Sequence, residues 1–187
     1  AFYCKIPVGH VEAGLRTYDR YSPFPEEMNR RLADALCTYH YAPTERSRRN
    51  LLQEHLPPEH VLITGNTVID ALLEVAKRPY TFEDPLLDAA GNGHKLVLVT
   101  AHRRESFGAP FRDMCRAIRE IAGQNADVEV VYPVHPNPNV RQVTDEILRD
   151  AERVHLIEPL DYLPFVHLLD KSHIVLTDSG GIQEEAP

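Results

Sequence analysis

The residues most suited to binding chemistry follow short apolar runs. Asp178 closes one such run, and Ser179, Gly180 and Gly181 come next, ahead of a helix-like segment. A turn of this kind presents several backbone N–H groups, and its small residues let a phosphate or diphosphate approach closely. An ordinary turn that uses glycine for its backbone freedom would give the same pattern, so both interpretations stay open. Glu185 could accept hydrogen bonds from a ribose diol or simply be an acid favoured near a helix start.

Basic side chains follow two other apolar runs. His102, Arg103 and Arg104 are consecutive, and His135 follows the next run along the chain. Arginine suits bidentate contact with a phosphate, and histidine can donate from either ring nitrogen. The alternatives are a solvated basic loop at 102–104 and a structural role for His135.

Two carboxylates in the first part of the chain could act as general acid and base. Glu12 follows an apolar strand, and Glu26 and Glu27 follow Pro25 at the start of a helix. Such a pair can divide the two roles if its surroundings separate the two pKa values. Glu26 and Glu27 could instead be ordinary helix-start acids. An acid directly after a buried strand is costly unless it is paired or used, which favours a role for Glu12.

Strand-length apolar runs alternate with amphipathic segments. The strands and helices that this alternation predicts must position the candidate binding and catalytic residues. The runs, rich in Val, Ile and Leu, lie at residues 61–65, 95–101, 128–134, 154–158 and 174–178. Continuous apolar runs suit parallel strands that are covered on both faces. The alternation predicts an α/β fold with doubly wound parallel sheets, in which ligands bind beyond the carboxyl ends of the strands.

The segments between the runs show helical stripes that we expect to face the core. The predicted stripes are Met28, Leu32, Ala35, Leu36 and Tyr39; Phe111, Met114, Cys115, Ile118 and Ile121; and Val140, Val143, Ile147 and Leu148. Residues 78–93, with two prolines and two glycines, are predicted to be a surface loop. We place a domain boundary at 66/67, which gives domains 1–66 and 67–187.

Composition excludes some classes of function. The net charge of −8 argues against nucleic acid as the main partner, and an anionic ligand would need a local cluster of donors. No apolar stretch approaches the length of a membrane span, and no signal-peptide pattern opens the chain. The three scattered cysteines, Cys4, Cys37 and Cys115, are those of a reduced, cytoplasmic protein, and we expect no metal site.

Five motifs, in order and with family-like spacing, carry a resemblance that extends from end to end. They are HVEAGLRT (residues 10–17), SPFPEEMNR (22–30), ITGNTVID (63–70), TAHRRE (100–105) and TDSGGIQEEAP (177–187). In these motifs the chain resembles the bacterial non-hydrolysing UDP-N-acetylglucosamine 2-epimerases. The resemblance implies two Rossmann-like domains of the GT-B type, the first incomplete here. It also implies a homodimer, no cofactor, and reversible conversion of UDP-N-acetylglucosamine to UDP-N-acetylmannosamine for surface polysaccharides.

The resemblance also implies roles for individual residues. Glu12, Glu26 and His102 match the family's catalytic positions, and His102 also contacts the nucleotide or the leaving diphosphate. The matching UDP-sugar-binding residues are Phe165 at the uracil, Ser179, Gly180 and Gly181 at the diphosphate, and Glu185 at the ribose. Arg103 and His135 match a possible activator site. Leu160 departs from the family, which carries a polar Gln there.

The ends of the chain read as cuts, because the family's N-terminal strands and C-terminal segments are missing. We therefore expect enzyme activity in the intact protein and none in this chain alone. Three alternatives remain at this stage: a GT-B glycosyltransferase, a hydrolysing epimerase, and a protein that senses UDP without turnover.

Overall fold

The computed structural model of the chain describes residues 1–103 and 107–187, so Arg104 and Glu105 of the TAHRRE motif lie outside the described residues. The chain divides into two compact units, unit 1 (Ala1–Asp70) and unit 2 (Ala71–Pro187). Helix α3 (Thr67–Ala76) crosses the division, whereas the predicted boundary lies just before this helix.

Unit 1 is a small parallel sheet with two helices. Its elements are β1 (Gly9–Val11), α1 (Glu26–Leu36), β2 (Tyr39–Ala42), α2 (Glu45–Gln53) and β3 (Val61–Ile63), with short 3-10 helices at Phe2–Cys4 and Pro58–His60. The strand order is β1-β2-β3. Its apolar core is small and consists of Ala13, Ala42, Leu51 and Val61, with Leu52 and Leu56 packed against it.

Helix α1 differs from the prediction. The expected core stripe is exposed, with Leu32 59% and Leu36 52% accessible, and Tyr39 lies on strand β2 instead of the helix. The buried side chains of α1 are Glu27 and Asp34. The apolar residues of α1 do recur with the helical period of 3.6 residues. The helix nevertheless buries its polar face, because Glu27 and Asp34 on that face accept hydrogen bonds from residues 10–18.

Strand β1 is short and lies immediately before Glu12. The chain before residue 9 contains a 3-10 helix, and His10 lies within the strand. Glu12 does follow the strand, as predicted, but it is exposed. The premise that burial makes Glu12 costly was therefore wrong, because β1 is largely accessible and, within residues 1–103 and 107–187, pairs with β2 alone.

Unit 2 is a four-stranded parallel sheet with helices on both faces. Its remaining elements are α4 (Pro85–Ala89), β4 (Lys95–Thr100), α5 (Ala109–Gln124), β5 (Val128–Pro133), α6 (Pro138–Leu148), β6 (Val154–Ile157), α7 (Tyr162–Lys171), β7 (Ile174–Thr177) and α8 (Gly180–Glu185). The strand order is β6-β5-β4-β7. The five predicted strands are confirmed, with ends shifted by two residues or fewer. Across the described residues, no helix combines the length and apolar character needed to cross a membrane.

Alternate residues of the central strands enter two separate cores. Val97 and Val99 of β4 pack on one face, with Phe111, Cys115 and Ile118 of α5. On the opposite face, the alternate residues Leu96 and Leu98 of β4 join Leu87 of α4 and Leu168 and Leu169 of α7. A strand covered on both faces reads as a continuous apolar run, which is why β4 was recognisable in the sequence.

The segment 78–93 was wrongly predicted to be a surface loop. It contains α4, and Phe82, Leu87 and Ala90 are buried in the second core. The ammonium group of Lys171 on α7 donates to the carbonyl oxygens of Leu87 and Asp88, at 3.1 and 2.8 Å. Prolines and glycines therefore delimit a short packed helix here.

Candidate functional site

The strand order of unit 2 places a crevice at a definite point. From β4 the chain passes to β5 on one side, whereas β7 pairs with β4 on the other side. Ligands in open parallel sheets bind outside the carboxyl ends of strands where the order reverses in this way. The residues at those two ends are 101–103 after β4 and 178–181 after β7, which are the segments that the sequence singled out.

Hydrogen bonds join these two strand ends. The Thr100 hydroxyl donates to Oγ1 of Thr177 at 2.7 Å, and Thr177 Oγ1 accepts the backbone N–H of Ser179 at 2.9 Å. The Asp178 carboxylate accepts the backbone N–H groups of His102 and Arg103, at 3.0 and 2.8 Å. Asp178 therefore holds the loop that carries His102 beside the turn that carries Ser179.

A cavity of about 500 Å³ opens at this point. One wall is apolar and is formed by Pro133, Pro159, Leu160, Phe165 and Ile182. Polar groups line the remainder, and these are Thr100, His102, His135 and Ser179. Such a combination of a flat apolar wall with a few donors suits a ligand that has a planar ring and a polar or charged end.

Two imidazole rings lie together in the cavity. The rings of His102 and His135 stack with centroids 5.0 Å apart and an angle of 6° between their planes. The backbone N–H of Asn137 donates to Nδ1 of His135 at 3.1 Å, which leaves Nε2 to carry the proton in the neutral ring. His135, predicted for a separate activator role, therefore shares its surroundings with His102.

The other predicted residues of unit 2 lie on helix α8 or next to its first residue. Helix α8 begins at Gly180, and the Ser179 side chain does not cap it. A side chain at Gly180 would meet Nη2 of Arg103 at 3.3 Å, so the guanidinium lies directly over this turn. At Gly181 the nearest atom of the described residues to such a side chain would be Ser179 Oγ, at 3.9 Å. Glu185 is half-buried on α8, and its burial, together with the nearby Glu184, raises its pKa.

The two predicted carboxylates belong to unit 1. Glu12 is exposed and has a left-handed backbone, with φ of 63°. Glu26 is exposed at the first residue of α1, whereas its neighbour Glu27 is 1% accessible. Glu27 accepts hydrogen bonds from Thr17 and Tyr18, so of the two helix-start acids it is the one with a structural role.

Sequence reasoning missed two kinds of residue. Asp178 was treated as the end of an apolar run, although an Asp at that point, opposite a second strand end, could have been read as an acceptor for loop N–H groups. The prediction from sequence gave no role to the proline residues of the cavity wall. Their position along the chain could have indicated this role, because Pro133 and Pro159 both lie at or just after a strand end.

Comparison with known proteins covers the whole chain. The family model described as UDP-N-acetylglucosamine 2-epimerase matches residues 1–187. A UDP-N-acetylglucosamine 2-epimerase from Salmonella typhimurium is 56% identical over 196 residues, which cover 100% of this chain and 51% of the relative.

Two solved structures are similar over the whole chain. The Staphylococcus aureus MnaA–UDP co-structure is 47% identical with a TM-score of 0.91, covering 100% of this chain and 50% of that one. The UDP-GlcNAc 2-epimerase from Neisseria meningitidis bound to UDP-GlcNAc is 49% identical with a TM-score of 0.85, covering 100% and 52%. The chain therefore spans about half the length of these proteins. These likenesses confirm the predicted α/β class of the GT-B type. Because the family model matches from the first residue to the last, the chain belongs to the UDP-N-acetylglucosamine 2-epimerase family.

Proposed function

We propose that the intact protein interconverts UDP-N-acetylglucosamine and UDP-N-acetylmannosamine by inverting carbon 2 of the sugar. The observation that carries this proposal is the cavity at the β4–β7 strand ends, where Phe165 faces the same space as His102 and Ser179. The related S. aureus and N. meningitidis structures contain UDP and UDP-GlcNAc, which supports the same class of ligand here.

Unit 2 would hold the nucleotide. The ring of Phe165 and the side chain of Leu160 give the uracil an apolar wall, and Leu160 leaves the base edge to backbone groups. The diphosphate would lie at Ser179, Gly180 and Gly181, where the backbone N–H groups of the two glycines can donate and small residues allow close approach, while the Ser179 N–H is already donated to Thr177 Oγ1. Since the chain carries a net charge of −8, its overall field does not attract a diphosphate, and the hydrogen-bond donors at this turn must hold it.

Arg103 and Glu185 would complete the nucleotide site. The guanidinium of Arg103, which lies over Gly180, supplies compensating charge for the diphosphate. The Glu185 carboxylate would accept hydrogen bonds from the ribose hydroxyls. These bonds would replace the water that Glu185 loses through its partial burial.

The chemistry explains why both a base and an anion site are needed. A base removes the proton on carbon 2 while the bond from carbon 1 to UDP breaks, leaving a carbon–carbon double bond in 2-acetamidoglucal. This proton is not adjacent to a carbonyl group, so departure of UDP must drive the step. The backbone N–H groups of Gly180 and Gly181, together with His102, would stabilise the charge that develops on the leaving diphosphate. UDP then adds back to carbon 1 after carbon 2 takes a proton on the opposite face.

Glu12 and Glu26 would be the carboxylates that exchange these protons. Both are exposed, and each lies at the end of an element, so both carboxylates are open to solvent and free to exchange protons. Retention of the intermediate is as important as proton transfer, because escape of the glucal would end the cycle without product. The reaction needs no nicotinamide cofactor and no metal ion.

The intact protein would be a cytoplasmic homodimer that supplies precursors of surface polysaccharides. Besides its contact with the diphosphate of the substrate, Arg103 would join His135 in contacting a second UDP-sugar that acts as an activator. Since His135 stacks on His102, a ligand that moves His135 in an activator site would also change the surroundings of the catalytic histidine.

Solvent deuterium tests the reaction. When the intact protein is incubated with UDP-N-acetylglucosamine in deuterated water, we expect both epimers to acquire deuterium at carbon 2, as measured by mass spectrometry and NMR. Glycosyl transfer would leave carbon 2 unlabelled, and hydrolysis would release one UDP for each N-acetylmannosamine. Binding of UDP without any labelling would indicate a sensor and contradict the proposal.

Replacement of His102 provides the matched test of the site. His102→Asn should reduce deuterium incorporation by about 100-fold, because the leaving charge loses a preorganised donor. His94→Asn removes an exposed histidine of the same unit, before β4, and should leave the rate unchanged. Equal rates in the two variants would remove His102 from the mechanism.

A further inference from the structure

We infer that Asp34 is a positioning residue, which fixes the backbone that carries Glu12 against the helix that carries Glu26. Asp34 lies on α1, eight residues after Glu26, and its side chain does not need to touch the substrate for this role. The inference rests on the proposed function, because it assigns a buried polar network to the two proposed catalytic carboxylates. We call this network the clamp and define it as His10, Arg16, Glu27, Asp34 and Glu54.

Asp34 holds residues on both sides of Glu12. One carboxylate oxygen lies 2.5 Å from Nδ1 of His10, and the other accepts a hydrogen bond from Nη2 of Arg16, also at 2.5 Å. Asp34 is only 2% accessible. Burial by itself would raise the pKa of Asp34, but the hydrogen bonds from His10 and Arg16 outweigh it and lower the pKa, so the group is ionised at neutral pH. One buried anion thus fixes the chain two residues before Glu12 and four residues after it.

Arg16 extends the clamp to helix α2. Its guanidinium also donates to both carboxylate oxygens of Glu54, at 2.7 and 2.8 Å. The Arg16 side chain is fully buried, so these bonds and the one to Asp34 replace the water that it has lost. The segment that leaves β1 is therefore tied to both helices of unit 1.

Glu27 fastens the far end of the same segment. Its carboxylate accepts the backbone N–H of Thr17 at 3.0 Å, the Thr17 hydroxyl at 3.2 Å and the backbone N–H of Tyr18 at 3.3 Å. Glu27 is the residue next to Glu26. Contacts of Glu27 and Asp34 therefore define where the 10–18 segment lies along α1, and with it where Glu12 lies relative to Glu26.

The backbone at Glu12 needs such support. A non-glycine residue with φ of 63° is strained and persists only where its surroundings determine its conformation. Between the clamp contacts, the N–H of Ala13 donates to the Tyr41 carbonyl oxygen at 3.0 Å, and Gly14 packs so closely on α2 that a side chain there would lie 2.3 Å from the Ser47 carbonyl oxygen. The chain on both sides of Glu12 is thus held while its side chain remains exposed.

The buried charges of the clamp are better explained by a role in positioning Glu12 and Glu26 than by a contribution to stability. Replacing a buried ion pair by apolar residues of similar volume is commonly neutral or stabilising, so stability alone gives no reason for the clamp. Directional bonds, in contrast, set the separation of two carboxylates to within a fraction of an ångström, which proton transfer requires.

Replacement of Asp34 in the intact protein tests the inference. Asp34→Asn keeps the size of the side chain but removes its charge and one acceptor. We expect kcat for epimerisation to fall about 100-fold with KM changed less than about threefold, because misplacement of a reacting group acts on the chemical step. Amide hydrogen exchange in residues 10–18 should become faster, and UDP affinity should be unchanged.

A core truncation in the same unit separates positioning from stability. Leu56→Ala removes apolar contacts beside the unit 1 core and should lower Tm while leaving kcat of the folded enzyme near that of the wild type. A fall in kcat of the same size in Leu56→Ala and Asp34→Asn would show that the clamp is only structural. If Asp34→Asn does not fold, Glu54→Gln loosens Arg16 from its more accessible side and should lower kcat about tenfold.

The outcomes also separate this inference from the proposed function. An intact wild-type protein that does not epimerise would overturn both. An active wild type whose Asp34→Asn and Glu54→Gln variants retain kcat would overturn only the positioning role of Asp34.

Discussion

Unit 1 and unit 2 are built on parallel sheets, but they bury different kinds of side chain. In unit 1 the buried groups include the charged side chains of Arg16, Glu27 and Asp34. In unit 2 the buried side chains of the described residues are apolar apart from Thr144 and the Tyr132 hydroxyl group, which donates to the Ala101 carbonyl oxygen. Unit 1 also leaves more apolar side chains accessible, since most of the large exposed apolar residues lie there.

This difference reflects what each unit must position. Unit 2 forms a cavity whose shape follows from apolar packing on both faces of its sheet, since β4 and β7 can bring their carboxyl ends together without charged groups beneath them. Unit 1 must orient a short exposed segment after an edge strand, where few apolar contacts are available. Directional bonds from buried charges replace packing there.

The largest effect is expected from truncating the core of unit 2. Phe111→Ala should lower the free energy of unfolding of unit 2 by about 4 kcal/mol, because it leaves a cavity where α5 meets the sheet. Ile121→Ala, on the exposed part of the same helix, should cost under about 1 kcal/mol. Hydrogen exchange of peptides from residues 71–187 measures both changes, and equal costs would contradict the assigned core.

The next effect concerns the clamp of unit 1. Arg16→Met should lower the free energy of unfolding of unit 1 by about 3 kcal/mol, because Asp34 and Glu54 lose a buried partner. Exchange in peptides from residues 1–70 should rise while that in unit 2 does not. As a control, Arg112→Met breaks an exposed ion pair with Glu146 and should produce no resolvable change.

A smaller effect is expected at the hydrogen bonds between the two strand ends of unit 2. Asp178→Ala should weaken UDP binding by the intact protein about tenfold, or about 1.4 kcal/mol, because the backbone at His102 and Arg103 loses its acceptor. Calorimetric titration with UDP measures the change, with Asp170→Ala, an exposed substitution on α7, as the control. An unchanged affinity would show that the loop holds its position without Asp178.

The smallest effect is expected from moderate acid. Burial works to raise the pKa of Glu27 and of Asp34, but their hydrogen bonds outweigh it and lower both pKa values below the ordinary 4.5 and 3.8. Because the folded pKa values are depressed, the stability that these groups contribute is complete above about pH 4.5 and is lost as the pH falls through the folded values. The loss is at most about 1.4 kcal/mol per pH unit for each carboxyl group.

An acid titration followed by amide NMR signals compares the two units directly. Signals of unit 1 should disappear before those of unit 2 below about pH 4, and neither set should change between pH 7 and 5. Simultaneous loss of both sets, or earlier loss of unit 2, would contradict the contrast between a charged and an apolar core.

The sequence predicted the second unit better than the first, and the reason is physical. Strands covered on both faces, such as β4, must be continuously apolar, so their pattern can be read directly. Helix α1 also has a clear apolar stripe, at Leu32 and Leu36, but periodicity does not say which face is buried. That choice depended on the partners at residues 10–18, which are distant in sequence from Asp34.

The candidate site divides in the same way. Residues at strand ends were found from the sequence because chain order and the parallel sheet predict where they converge. Their mutual contacts were not found, since the stacking of His102 on His135 and the bonds to Asp178 depend on loop conformations that no local pattern encodes.

By its own order of residue types, the sequence determined the α/β class, the five apolar strands, the family and the strand ends at which polar residues gather. Only the tertiary structure decided that α1 buries Glu27 and Asp34, that 80–90 packs as part of a core, and that Phe165 shares a cavity with His102 and Ser179. The physical reason is that periodicity is a local property of the chain, whereas burial and hydrogen-bond partners are set by segments that meet only after folding.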